Sequence, residues 1–136
     1  QVELKHGRVC MLACLGYITP EYFRLPGYLS TSLGLQFNEV PNGLAAIGKV
    51  PVAGGLQMFF FAGAMERGLL QQDPSRDPGD FANIGNLGVP YSEDIPDPEA
   101  RKRSLNAELA NGRLAMVAIM GMMFQDGTFG TTGPEM

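Results

Sequence analysis

Glu3-Leu-Lys-His-Gly-Arg-Val-Cys-Met-Leu-Ala-Cys-Leu-Gly16 recurs, with seven of fourteen positions identical, as Glu108-Leu-Ala-Asn-Gly-Arg-Leu-Ala-Met-Val-Ala-Ile-Met-Gly121. Each copy sets a Glu and, five residues later, an Arg into apolar sequence, with a metal-ligand residue type, His6 or Asn111, between them. Charge inside an apolar helix is costly and requires a partner. On a helix turning about 100° per residue, positions five apart lie about 140° from each other, so neither Glu3–Arg8 nor Glu108–Arg113 closes well within its own helix. A face-to-face crossing of the two copies with two-fold symmetry resolves the conflict. Glu3 then meets Arg113, Glu108 meets Arg8, and all four charges are compensated.

Three apolar segments organise the 136-residue chain, at about 2–18, 50–70 and 98–124. The middle one holds sixteen consecutive uncharged residues, Val50 to Met65. That is close to the roughly 20 residues that cross a bilayer as a helix, and makes it the clearest span by composition. The third has eleven uninterrupted apolar residues, Leu114 to Phe124, behind a polar N-terminal half. Asp97 as N-cap and Pro98 at the first helical position mark its start. The expected fold is an all-α membrane protein with three transmembrane helices, the first and third crossing with pseudo-two-fold symmetry, in a single domain over residues 1–136. A soluble helical bundle accounts for the short apolar runs but not for the charge pattern of the repeat.

Lys and Arg number 10 against 14 Asp and Glu, for a net charge of −4. This argues against a nucleic-acid binder, which clusters cations against phosphates, and the short run Arg101-Lys102-Arg103 does not reverse it. Cys10 and Cys14 share a helical face, no second pair completes a zinc site, and a disulfide within one turn has poor geometry; they read as packing residues. Gly7 and Gly112, with Ala13, Gly16, Ala115, Ala118 and Gly121, either let helices approach closely or let a flat ligand lie against backbone. The chain opens inside its first apparent helix, so the natural protein is expected to begin earlier. An enzyme is not expected. His6 has no nucleophile or orienting partner visible in the sequence, and no phosphate loop or dinucleotide motif is present.

Glu3 with His6, and Glu108 with Asn111, each place two donors three residues apart on one helical face. Gln125 adds an amide fourteen residues beyond Asn111, within about 40° of it around the axis. These donors are too widely spread to share one metal. A bare divalent ion takes several protein ligands at once, so one ligand per metal suggests that the other positions are already filled. A magnesium tetrapyrrole meets that description, since its ring supplies four nitrogens and leaves an axial place. A neutral imidazole, an amide oxygen or an arginine-compensated carboxylate can fill it.

Glu3-x-x-His-Gly-Arg-x-x-Met-Leu-Ala13 and Glu108-x-x-Asn-Gly-Arg-x-Ala-Met-x-Ala118 resemble the first and third membrane helices of the chlorophyll-binding light-harvesting antenna family. Gly27-Tyr-Leu-Ser, Val40-Pro-Asn-Gly-Leu and Phe124-Gln-Asp-Gly127 are similar to its chlorophyll a/c branch, with the dinoflagellate peridinin-containing antennae nearest and the diatom fucoxanthin proteins next. The resemblance implies that Glu3, His6, Glu108, Asn111 and Gln125 are axial ligands of chlorophyll magnesium, supported by Arg8 and Arg113. It implies further ligands at Gln57 and Glu66 in the middle helix. Read as ordinary residues, Gln57 is a hydrogen-bonded polar group and Glu66, beside Arg67, a charge at the membrane boundary. The implied cofactors are chlorophyll a, chlorophyll c and carotenoids of the peridinin, fucoxanthin or diadinoxanthin type. The implied partners are neighbouring antenna subunits, thylakoid lipids and a photosystem core, photosystem I first, with no nucleic acid. The implied location is the plastid thylakoid membrane, with the connection 18–49 in the lumen and the acidic connection 71–103 in the stroma. A photoprotective, energy-dissipating relative and a pigment-free membrane scaffold are the alternatives. The family's segments before the first helix and after the third are missing or short here, so the domain is expected to be truncated at both ends. The Asp-Pro stretch from Gln72 to Phe81 resembles the family's loop ahead of the third helix, though Asp-Pro pairs are also ordinary turn signals.

Overall fold

The computed structural model describes residues 1–81 and 95–130. These are mostly helical, in α1 (Val2–Tyr22), α2 (Ala45–Lys49), α3 (Val52–Gly68) and α4 (Pro98–Phe129). Between α1 and α2 lie a small antiparallel hairpin, β1 (Tyr28–Ser30) and β2 (Leu35–Gln36), and a 3-10 turn at Phe37–Glu39. The three helices expected from sequence are present, and the hairpin and α2 are additions. The acidic connection 71–103 falls partly outside the described residues.

Local chemistry explains the boundaries. Asp97 caps α4 by accepting the Glu99 backbone N–H at 3.1 Å, and Pro98 follows at the first helical position. α4 ends at Gly130, which takes the left-handed conformation (φ 65°) that glycine adopts without a Cβ penalty. That end lies beyond the expected 124, and α1 likewise runs past 18, through Pro20 to Tyr22. Proline so close to a helix end removes only one late backbone bond, and the Phe23 N–H closes the helix on the Thr19 carbonyl at 2.9 Å.

Pro51 sets the start of α3, which has 17 residues. At 1.5 Å per residue it is about 26 Å long, below the ~30 Å hydrocarbon thickness of a bilayer. Among the described helices, α4 is the one long and apolar enough by composition to cross a membrane. The segment expected to be the clearest span is thus the shortest of the three long helices.

The one substantial helix–helix packing among the described residues is α1 against α4. Ala115 is their single buried hydrophobic side chain, whereas Leu12 (70%), Phe59 (73%) and Val117 (72%) stand largely exposed. Apolar surface left in water costs about 25 cal/mol per Å². A soluble bundle would close such faces on one another, and these helices do not.

Candidate functional site

α1 and α4 cross where both backbones are bare. Gly7 and Gly112 are buried at the crossing, and a Cβ built on Gly7 would lie 2.9 Å from the Gly112 Cα. This contact brings the repeat's charges together as the 140° offset predicts. Arg8 Nε donates to Glu108 Oε1 at 2.5 Å, and Arg113 Nε donates to Glu3 Oε1 at 2.5 Å. These pairs use Oε1 of each carboxylate, and Oε2 is a further acceptor. The small residues divide between two surroundings. Gly7, Gly112 and Ala115 pack the helices, while a Cβ at Gly16 or Gly121 would meet nothing within 4 Å.

The two ion pairs are chemically alike but differently covered. Side chains of Arg8 and Glu108 are 30% and 28% exposed, against 60% and 49% for Arg113 and Glu3. The cover over Arg8 is the Asp-Pro loop. Its Gly79 carbonyl accepts from Arg8 Nη1 at 2.6 Å, and the Phe81 ring sits 5.5 Å below the guanidinium. Gln72 holds the loop closed, donating from Nε2 to the carbonyls of Asp73, Asp77 and Asp80 and accepting the Gly79 N–H. Asp73 shapes a turn by accepting the Ser75 N–H and hydroxyl, bonds that hold its carboxyl below the usual range. Arg101 at the start of α4 pairs with Asp77 of the same loop.

The neutral donors are oriented in a common way. His6 Nδ1 lies 2.9 Å from the Val2 carbonyl, which can only accept, so Nδ1 carries the proton and Nε2 keeps a lone pair. Asn111 Nδ2 donates to the Ala107 carbonyl at 2.9 Å, which leaves Oδ1 available. Both side chains are exposed on the outer faces of the crossed pair. Locking one end of a ligand on a backbone carbonyl to aim the other is how metal-binding imidazoles are held. Gln125 is half-buried near the far end of α4, and Gln57 is exposed on α3. Nine residues separate Gln57 from Glu66, which puts them on opposite faces of α3. The donors fit a group that needs one axial ligand. Among the described residues no three His, Cys, Asp or Glu side chains converge on a point, as a bare ion would require.

Two features involve residues whose partners the sequence did not name. Lys5 pairs with Glu66, taking the place expected of a simple boundary charge. Asp126 Oδ2 accepts both the Tyr17 hydroxyl at 2.8 Å and the Leu44 N–H at 2.6 Å, pinning the connection after α1 to α4. The motif Phe124-Gln-Asp-Gly127 contains Asp126, but no spacing rule names its partners. Arg24 organises the same connection through the Phe37, Asn38 and Val40 carbonyls and Asn42 Oδ1. An apolar cavity of about 520 Å³ opens there between Tyr17, Phe23, Leu25, Leu29, Phe37 and Val40. Asp126→Ala is expected to free this connection without opening the glycine crossing. Hydrogen exchange should show lost protection at the Leu44 amide and unchanged protection around Gly112.

The described geometry is thus a crossed helix pair that compensates its own carboxylates and carries exposed His6 and Asn111 side chains. The family described as Chlorophyll A-B binding protein matches residues 1–127, and the chain belongs to that family. It is 41% identical over 126 residues to fucoxanthin-chlorophyll a-c binding protein B, chloroplastic, of Macrocystis pyrifera, covering 92% of this chain and 57% of that one. With fucoxanthin-chlorophyll a-c binding protein A, chloroplastic, of Phaeodactylum tricornutum, it shares 39% identity over 127 residues, covering 92% and 63%. The chain thus spans less than two thirds of the length of these two relatives.

Proposed function

We propose that this chain is a light-harvesting antenna subunit that holds chlorophyll a, chlorophyll c and fucoxanthin-type carotenoids at fixed positions and passes excitation toward a photosystem. The observation that carries the reading is the outward-facing donor set on the two crossed helices: Nε2 of His6, Oδ1 of Asn111 and the second carboxylate oxygens of Glu3 and Glu108. Gln125, Gln57 and Glu66 extend the set. The relatives' names, which specify fucoxanthin and chlorophyll a-c, supply the pigment types.

Bound chlorophyll and carotenoid supply the absorption of light; the chain contributes position, orientation and electrostatics. Arg8 and Arg113 offset the charge of Glu108 and Glu3, so that each carboxylate can offer an oxygen in an apolar setting. Gly16 and Gly121 leave backbone open to a ring face. The exposed apolar sides of α1, α3 and α4 meet pigment and lipid instead of water. In this reading α1, α3 and α4 all span the thylakoid membrane, and the short α3 is accommodated by local thinning or by side chains reaching the interface. The 72–81 loop lies in the stroma and the hairpin connection in the lumen, with neighbouring antenna subunits and a photosystem core as partners.

The test is reconstitution of the full chain with chlorophylls a and c and fucoxanthin. A stable coloured complex with nanosecond fluorescence is expected; a stable colourless fold would sink the pigment reading, and constant strong quenching would favour energy dissipation. His6→Leu is expected to remove one chlorophyll per polypeptide while leaving the others. Unchanged stoichiometry would show that His6 is not a ligand.

A further inference from the structure

The first copy of the repeat carries a charge that the second lacks, because Lys5 stands where the second has Ala110. Lys5 lies about 200° around α1 from Glu3 and so faces away from the partner of that carboxylate. Its ammonium reaches α3 and pairs with Glu66 Oε2. Arg67, adjacent in sequence, is about 100° around α3 from Glu66, and neighbouring helix positions do not face each other.

The candidate ligands fall into two groups. Each carboxylate is paired with a cation on a different helix: Glu3 with Arg113, Glu108 with Arg8, and Glu66 with Lys5. Among the neutral donors, His6 and Asn111 are each oriented by a backbone carbonyl and need no cation. This division follows from electrostatics, since an anionic ligand in an apolar setting requires compensation and a neutral one does not.

We propose that Lys5 is a positioning residue, the counter-charge of a single-ligand magnesium site at Glu66. It does across α1 and α3 what the two arginines do across α1 and α4. The inference rests on the chlorophyll-binding reading and adds a residue to it. Lysine suits the task because its compact ammonium can compensate one carboxylate oxygen while Oε1 remains available to a metal.

The experiment measures chlorophyll per polypeptide after reconstitution of the full chain. Lys5→Met is expected to lose one chlorophyll and Lys5→Arg to keep it. The double variant Lys5→Met with Glu66→Gln is expected to recover the wild-type number, because the amide needs no counter-charge. Recovery also separates compensation from mere tethering, since the double variant lacks the ion pair as fully as Lys5→Met does. Wild-type stoichiometry in Lys5→Met would overturn the proposal, as would a failure of the double variant to recover. If Lys5→Met does not assemble, assembly of the double variant with full pigment supports the proposal and its failure overturns it. A colourless wild-type protein would instead remove the chlorophyll-binding reading on which the inference rests.

Discussion

Gly7→Leu is expected to abolish the pigmented complex, and Gly7→Ala to weaken it by about 1–3 kcal/mol, the usual range for overpacking a tight interior. Even the first added carbon would stand 2.9 Å from the Gly112 Cα. The obstacle is backbone, so no rotamer change relieves it. The helices must separate or rotate, and either movement pulls Arg8 away from Glu108 and Arg113 away from Glu3. One methyl group at the crossing therefore acts on both ion pairs. Gly121→Ala is the control, because its new Cβ meets nothing within 4 Å. Thermal loss of the visible circular dichroism of the pigmented complex measures both. Equal stability of Gly7→Ala and Gly121→Ala would show that the crossing tolerates a spacing the geometry forbids.

Arg8→Leu should have the next largest effect, and a larger one than Arg113→Leu. Removing Arg8 leaves Glu108 uncompensated where it is 28% exposed, and also strips the Gly79 carbonyl of its donor. Breaking a buried ion pair from one side costs about 3–5 kcal/mol, and the remaining exposure places Arg8 near the lower end. Arg113 serves one carboxylate in a more open setting, with both side chains about half exposed or more. Its removal is still expected to exceed that of His6, whose loss strands no charge. Pigment yield and thermal midpoint should rank Arg8→Leu below Arg113→Leu, and Arg113→Leu below His6→Leu. Equal values for the two arginine variants would mean that the 72–81 loop contributes nothing to the pair it covers.

The helices and the crossed ion pairs were legible in the sequence because both follow from angles around a single helix axis. A Glu and an Arg that cannot pair in one copy but can pair between copies specify a crossing and locate its glycine contact. Asp97 and Pro98 fixed the start of α4 through local backbone chemistry alone. The Lys5–Glu66 pair was not legible, because it depends on where α3 stands relative to α1, and periodicity describes one helix at a time. The same applies to Asp126, whose partners Tyr17 and Leu44 lie 109 and 82 residues away. Gln72 was hidden for another reason. Its role is to satisfy backbone groups of its own loop, and a lone glutamine between turn residues carries no spacing signal.

The unequal cover over the two carboxylates has a consequence for the colour of the protein. A pigment's transition energy depends on the polarity and charge around it, and among the described residues the 72–81 loop covers Arg8, the partner of Glu108, while the Arg113–Glu3 pair is more exposed. In the antenna reading, two positions related by the helix symmetry therefore absorb at different wavelengths even with the same pigment in both. In that reading, the one short loop over Arg8 sets the two related pigment positions apart and gives excitation a preferred direction between them.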